Sequence, residues 1–137
     1  MSERVDVPER CAYDFAFIRI VPRVEREEFV NAGVVVFCPA RKYLAARVGI
    51  DEDRLRALWP GIDLALIREH LEPFPKVCAG DPDAGPIAAK PLRERFHWVV
   101  APRSTMIQIS PVHTGINASP EAVLEELFAR QVAVQES

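Results

Sequence analysis

The polar side chains that could carry chemistry are concentrated between Arg93 and Gly115. A guanidinium offers a fork of donors to a phosphate or carboxylate, hydroxyl and amide groups complete the hydrogen bonds, and a histidine can donate or accept a proton near neutral pH. Strand alternation predicts that Gln108 and Ser110 project from one face, with His113 on the following loop. These groups predict a polar pocket for a ligand or partner, formed by Arg103, Ser104, Thr105, Gln108, Ser110, His113 and Thr114. The alternative is a polar sheet face on which His113 caps the next turn.

Further arginines could extend this surface. Arg93 and Arg95 lie on a predicted short helix, and Arg19 and Arg23 lie near the first predicted strand. If they gather at one edge of the fold, they could bind an acidic partner or a nucleotide. A solvated face with a few weak ion pairs is the more common outcome for such arginines. We add Arg95 and Asn31 to the candidate binding residues.

The nucleophilic and metal-binding side chains match no catalytic signature. A serine hydrolase needs a serine activated by a histidine and an acid, and neither Ser104 nor Ser110 lies in a Gly-x-Ser-x-Gly turn. The histidines lack the spacing of metal ligands, so neither a metal nor a cofactor is expected. Cys11, Cys38 and Cys78 form no Cys-x-x-Cys pair, which predicts reduced thiols that pack as small hydrophobes.

Composition limits the class of protein further. The formal net charge of −3 argues against non-specific binding to DNA or RNA, which needs a basic face. No run approaches the roughly 18 apolar residues of a membrane span, so we expect a soluble, cytoplasmic protein. The length of 137 residues suits one domain, and the 12 prolines predict short elements.

Hydrophobic periodicity predicts an α+β fold with a mostly antiparallel sheet of about four strands packed against three or four helices. The predicted single domain spans residues 13–134 and follows a flexible lead-in at residues 1–12. Strands are predicted at residues 13–21, 34–38, 43–48 and 105–110, with a turn or bulge at residues 31–33. Helices are predicted after Asp51, from Asp63 to Phe74, at residues 92–100, and after Ser119 with Ala122 on its apolar face. Residues 77–89 are predicted to form a loop.

Four segments of the chain occur in an order that resembles one family of proteins. The segments are FVNAGVVVF, GIDEDRLRALWP, ERFHWVVAPRSTMIQISPVHTG and PEAVLEELFARQV. They resemble a bacterial family of small proteins described as domain of unknown function 3037, over roughly residues 13–132. The resemblance implies frequent encoding beside a HipA-like kinase, and hence a role as a partner or accessory protein.

Two functions are consistent with these observations. The first is a non-enzymatic partner or regulatory protein that acts with another protein, such as a HipA-like kinase, through Asn31, Arg103, Gln108 and His113. The second is an enzyme or binder of a phosphorylated or nucleotide-like small molecule. In that case Arg103 would anchor the anion and His113 would act as acid or base.

Overall fold

The computed structural model of the protein describes residues 9–23, 26–103 and 106–133. Five strands lie in this described part: β1 (Cys11–Ile20), β2 (Val30–Cys38), β3 (Tyr43–Val48), β4 (Ile107–Ile109) and β5 (His113–Asn117). The α-helices of the same part are α1 (Glu52–Leu58), α2 (Leu64–Leu71), α3 (Pro73–Ala79), α4 (Leu92–Val100) and α5 (Pro120–Gln131). The strands form one antiparallel sheet in the order β3-β2-β1, and β4 and β5 follow each other along the outer edge of β1. The predicted α+β class is confirmed.

β1 is the central strand of the sheet. It begins at Cys11, before the predicted start, and it pairs with β2 on one edge and with β4 and β5 on the other. Ala16, Ile18 and Ile20 are completely buried on the first face of the sheet, where α1 to α4 pack. The alternate side chains of β1 project from the second face, where α5 lies.

A β-bulge in β2 confirms the irregularity predicted at residues 31–33. Ile18 pairs with Gly33 and Arg19 pairs with Asn31, so Ala32 is the additional residue. Gly33 is required because the backbones approach closely. A Cβ atom there would lie 2.9 Å from the carbonyl oxygen of Arg47, which cannot move without disturbing β3.

The edge formed by β4 and β5 contains a second irregularity, which Ser110 accommodates. Between the pairs Ile18–Ile109 and Phe15–His113, three steps along β1 oppose four steps along the edge. The Ser110 amide donates to the Phe17 carbonyl at 2.9 Å, and the Ser110 hydroxyl accepts from the Phe17 amide at 2.8 Å. The serine side chain therefore replaces a missing backbone acceptor. His113 was predicted on a loop, which is wrong, because it begins β5.

The helices of the first face follow the predicted caps but not all predicted lengths. Asp51 and Asp63 accept hydrogen bonds from the first turns of α1 and α2, as predicted. The second helix ends at Leu71 rather than at Phe74, because Pro73 begins a separate helix. That helix, α3, extends into the segment predicted as a loop. Its prolines occupy the first turn, where the missing amide donor costs nothing.

α5 covers part of the second face. Ser119 caps its first turn by accepting from the Ala122 amide, as predicted. Val123 and Leu124 pack against valines of β2, whereas Ala122 is exposed, so its predicted place on the apolar face is wrong. A helical period allows an apolar face that contains either Ala122 or Val123. The face with Val123 and Leu124 packs inward because these larger side chains bury more apolar surface.

Replacing Ser110 by alanine should destabilise the fold. The change leaves the Phe17 amide without its acceptor in a site where Ser110 is only 4% exposed. We expect the free energy of unfolding in urea to fall by about 1–3 kcal/mol. Thr114→Val is the matched control on the same edge, because the Thr114 hydroxyl donates to Asp14 in an exposed position. Equal losses for the two variants would contradict this role of Ser110.

Candidate functional site

Arg103 caps the end of α4. Its guanidinium donates to the carbonyl oxygens of Trp98 at 2.8 Å, Val99 at 2.6 Å and Ala101 at 3.0 Å. The same group stacks over the rings of Trp98 and Phe74, and its burial lowers its pKa from the ordinary value. Arg103 shares a cavity with Ile107, which belongs to the core of the first face. The guanidinium of Arg103 therefore donates to carbonyl oxygens among the helices that pack on the first face, which we call the helical layer.

Arg95 has a similar role at the end of α3. It donates to the carbonyl oxygens of Cys78 at 2.9 Å, Val77 at 3.2 Å and Lys90 at 2.8 Å. These bonds hold the last turn of α3 against the segment that precedes α4. Cation donors at a helix C-terminus satisfy carbonyls that have no partner within the helix. The structure therefore assigns Arg95 to the helical layer as well.

The predicted pocket of Arg103, Gln108 and His113 does not form, because the sheet separates its members. Gln108 alternates with Ile107 and Ile109, which pack on the first face, so Gln108 projects from the second face. His113 projects from that second face too, beside Phe15. Ser104 and Thr105 lie outside the described residues.

Three candidate nucleophiles of the described chain are engaged or shielded: Ser110, Cys38 and Cys78. The Ser110 hydroxyl accepts from the Phe17 amide and donates to the Pro111 carbonyl oxygen at 2.9 Å. Cys38 and Cys78 are buried free thiols, and burial raises the pKa of Cys78 to about 12. Cys78 is therefore protonated at neutral pH and is not a reactive thiolate.

The second face carries a row of aromatic side chains that α5 leaves partly exposed. α5 packs on β2 and β3, so the β1 side of this face has no helix over it among the described residues. The rings of Tyr13 and Phe15 lie 5.8 Å apart, those of Phe15 and Phe17 5.9 Å apart, and those of Phe15 and His113 5.3 Å apart. We call these four residues the aromatic face.

Three polar side chains cross the sheet at one end of the aromatic face. Arg19 pairs with Asn31 of β2 on one side and with Gln108 of β4 on the other. Asn31 donates to the carbonyl oxygen of Gln131 at the end of α5, at 3.3 Å. Arg19 also lines a cavity of about 440 Å³ together with Gln108 and Phe29. The predicted site residues Asn31 and Gln108 thus flank Arg19, which was predicted only as part of a possible basic edge.

A second cleft of about 450 Å³ lies on the other side of the molecule, between the end of β3 and the helices α2 and α3. Its charged residues already have partners: Lys76 pairs with Glu72 at 2.7 Å, and Arg68 pairs with Glu52. The cleft therefore offers a mostly apolar floor with a neutralised rim. We place the candidate site on the second face of the sheet, where the buried Nε atom of Arg19 has no hydrogen-bond partner among the described residues.

The described part of the chain contains neither a metal-binding cluster nor a helix able to span a membrane. Over residues 9–23, 26–103 and 106–133, no three His, Cys, Asp or Glu side chains are grouped so that they could hold a metal ion. In the same part of the chain, every helix is too short or too polar to cross a bilayer.

Comparison with known proteins assigns a family. The sequence profile described as "Protein of unknown function (DUF3037)" matches residues 15–132, so the chain belongs to that family. Neither a curated protein nor a solved structure matched the chain.

Replacing Arg103 by alanine should destabilise the protein, because the carbonyls at the end of α4 lose their donor and two aromatic rings lose their stacked cation. We expect the free energy of unfolding to fall by about 1–3 kcal/mol. Arg54→Ala, at an exposed position of α1, is the control and should change it by less than about 0.5 kcal/mol. An unchanged stability of Arg103→Ala would contradict the capping role.

Proposed function

We propose that the protein is a non-enzymatic partner of another protein and that the aromatic face is its contact surface. The observation that carries this proposal is that the described residues cover the second sheet face only in part. α5 packs on β2 and β3, and the rings of Tyr13, Phe15 and Phe17 remain partly exposed beside the exposed His113. Contiguous exposed rings on a rigid element are the usual centre of a protein interface.

The rigidity of the aromatic face supports a binding role. Three of its rings stand on β1, which is bonded along both edges and completely buried at Ala16 and Ile18 beneath them, and the His113 ring stands on β5. Tyr13 lies directly over Gly115, where an added Cβ would come within 2.4 Å of the tyrosine hydroxyl. A partner would therefore meet rings that are already fixed, so binding would cost little side-chain entropy.

A HipA-like kinase is the partner that we propose, because the resemblance to the family implies that such a kinase is encoded nearby. The engaged hydroxyl of Ser110 and the raised pKa of Cys78 favour a binding role over nucleophilic catalysis by these groups. Arg103 no longer supports the alternative of a phosphate-binding enzyme, since its donors are held by α4.

The test is formation of a complex between the purified protein and the neighbouring kinase, measured by light scattering and calorimetry. His113→Glu places a charge on the aromatic face at an exposed position, and we expect it to weaken the complex by at least about tenfold. Phe15→Leu removes the central ring but keeps an apolar side chain, and it should also weaken the complex.

The matched control is His70→Glu, which makes the same change at an exposed position of α2. Its affinity for the kinase should equal that of the unaltered protein. Absence of a complex would contradict the proposed partner. Equal weakening by His113→Glu and His70→Glu would contradict the proposed surface.

A further inference from the structure

Two arginines on the second face each stack over a phenylalanine ring, but their surroundings differ. Arg47 of β3 stacks over the ring of Phe128 at 4.3 Å and forms an ion pair with Glu125. Arg19 of β1 stacks over the ring of Phe29 at 4.0 Å. In the described part of the chain, no carboxylate lies within ion-pair distance of Arg19. The arrangement at Arg19 therefore resembles that at Arg47 without its anion.

The surroundings of Arg19 make this difference significant. The Nε atom is buried and has no hydrogen-bond partner among the described residues. Desolvation lowers the pKa of the guanidinium, which nevertheless stays charged at neutral pH. A buried donor without a partner costs free energy that an incoming acceptor would recover. A guanidinium fork is most complementary to a carboxylate or a phosphate.

The cavity beside Arg19 has the size and lining of a small-molecule site. Its volume of about 440 Å³ lies within the usual range for ligand pockets, roughly 300–1,000 Å³. Val21, Phe29 and Ile109 supply apolar walls, and Gln108 and Glu27 supply polar ones. A ligand bound there would meet one cation, one anion and an apolar surface.

Glu27 limits the charge of the ligand. Its φ of 54° puts a non-glycine residue in the left-handed region, a strained conformation that is concentrated at functional sites. Glu27 and Arg19 line the same cavity, and among the described residues no ion pair joins them. A phosphate dianion would be repelled by Glu27, whereas a molecule with both a carboxylate and an ammonium group could satisfy both residues.

We propose that this cavity binds a small zwitterion of the amino-acid type with an apolar side chain. The carboxylate accepts from Arg19, the ammonium group faces Glu27, and the apolar side chain packs between Phe29 and Ile109. This site is separate from the proposed protein interface, because it lies at the β4 edge of the sheet, where Ile109 of the first-face core also lines it. Binding is expected from the protein alone.

The experiment is titration of the isolated protein with L-phenylalanine, followed by calorimetry and by NMR of backbone amides. Phenylacetate lacks the ammonium group, phenethylamine lacks the carboxylate, and phenyl phosphate carries a larger negative charge. We expect L-phenylalanine to bind most tightly, and Arg19→Met to weaken it by at least about tenfold. Glu27→Gln should weaken L-phenylalanine but not phenylacetate.

Arg47→Met is the matched control, because it removes the other stacked arginine of the same sheet face and should leave binding unchanged. Absence of binding at millimolar L-phenylalanine would overturn the proposal. So would equal affinities in Arg19→Met and the unaltered protein, or tighter binding of phenyl phosphate than of L-phenylalanine. Because no partner protein is present, these outcomes are independent of the kinase.

Discussion

The pairing of β1 with strands on both of its edges is the constraint on which the rest of the structure depends. The backbone amides and carbonyls of β1 need hydrogen-bond partners along both edges. This requirement is met with a bulge at Ala32 on one side and with the Ser110 hydroxyl on the other. β1 must also bury two apolar faces. In the described part of the chain, the first face lies under four helices, but the second has a single helix that stays on β2 and β3. The partly exposed aromatic face is the direct result.

The arginines show how the same side chain serves different purposes according to its neighbours. Arg103 and Arg95 donate hydrogen bonds to helix carbonyls, and Arg47 forms an ion pair with Glu125. Each of these three arginines stabilises a helix or strand that it contacts. Arg19 is different, because it stacks over a ring but its buried Nε atom has no hydrogen-bond partner among the described residues. For that reason the second face, rather than the helical layer, carries the candidate site.

Local signals allowed much of the fold to be predicted from the sequence. The caps at Asp51, Asp63 and Ser119 depend on residues a few positions away, and the structure confirms them. β5 was missed because its exposed sequence HTGIN lacks the apolar alternation of a half-buried strand. α3 was missed because prolines normally indicate a loop, although the first turn of a helix tolerates them.

The candidate site was less predictable, because it depends on pairing between distant segments. The bond between Phe17 and Ser110 joins residues 93 positions apart, and only this register places Gln108 beside Arg19. Strand alternation places Arg19 in line with Phe15 and Phe17 once β1 is known to be a strand. It could not show that Arg103 lies on the opposite face, since the direction of that side chain follows from α4 and not from the neighbouring strand.

The central claim is that function resides on the part of the second sheet face that α5 leaves uncovered. The most direct measurement is hydrogen exchange of the backbone amides in the protein alone and in its complex with the kinase. The account predicts added protection along β5 and the adjoining edge of the sheet, with α1 to α3 unchanged. Added protection confined to α1, α2 and α3, with β5 unchanged, would contradict it.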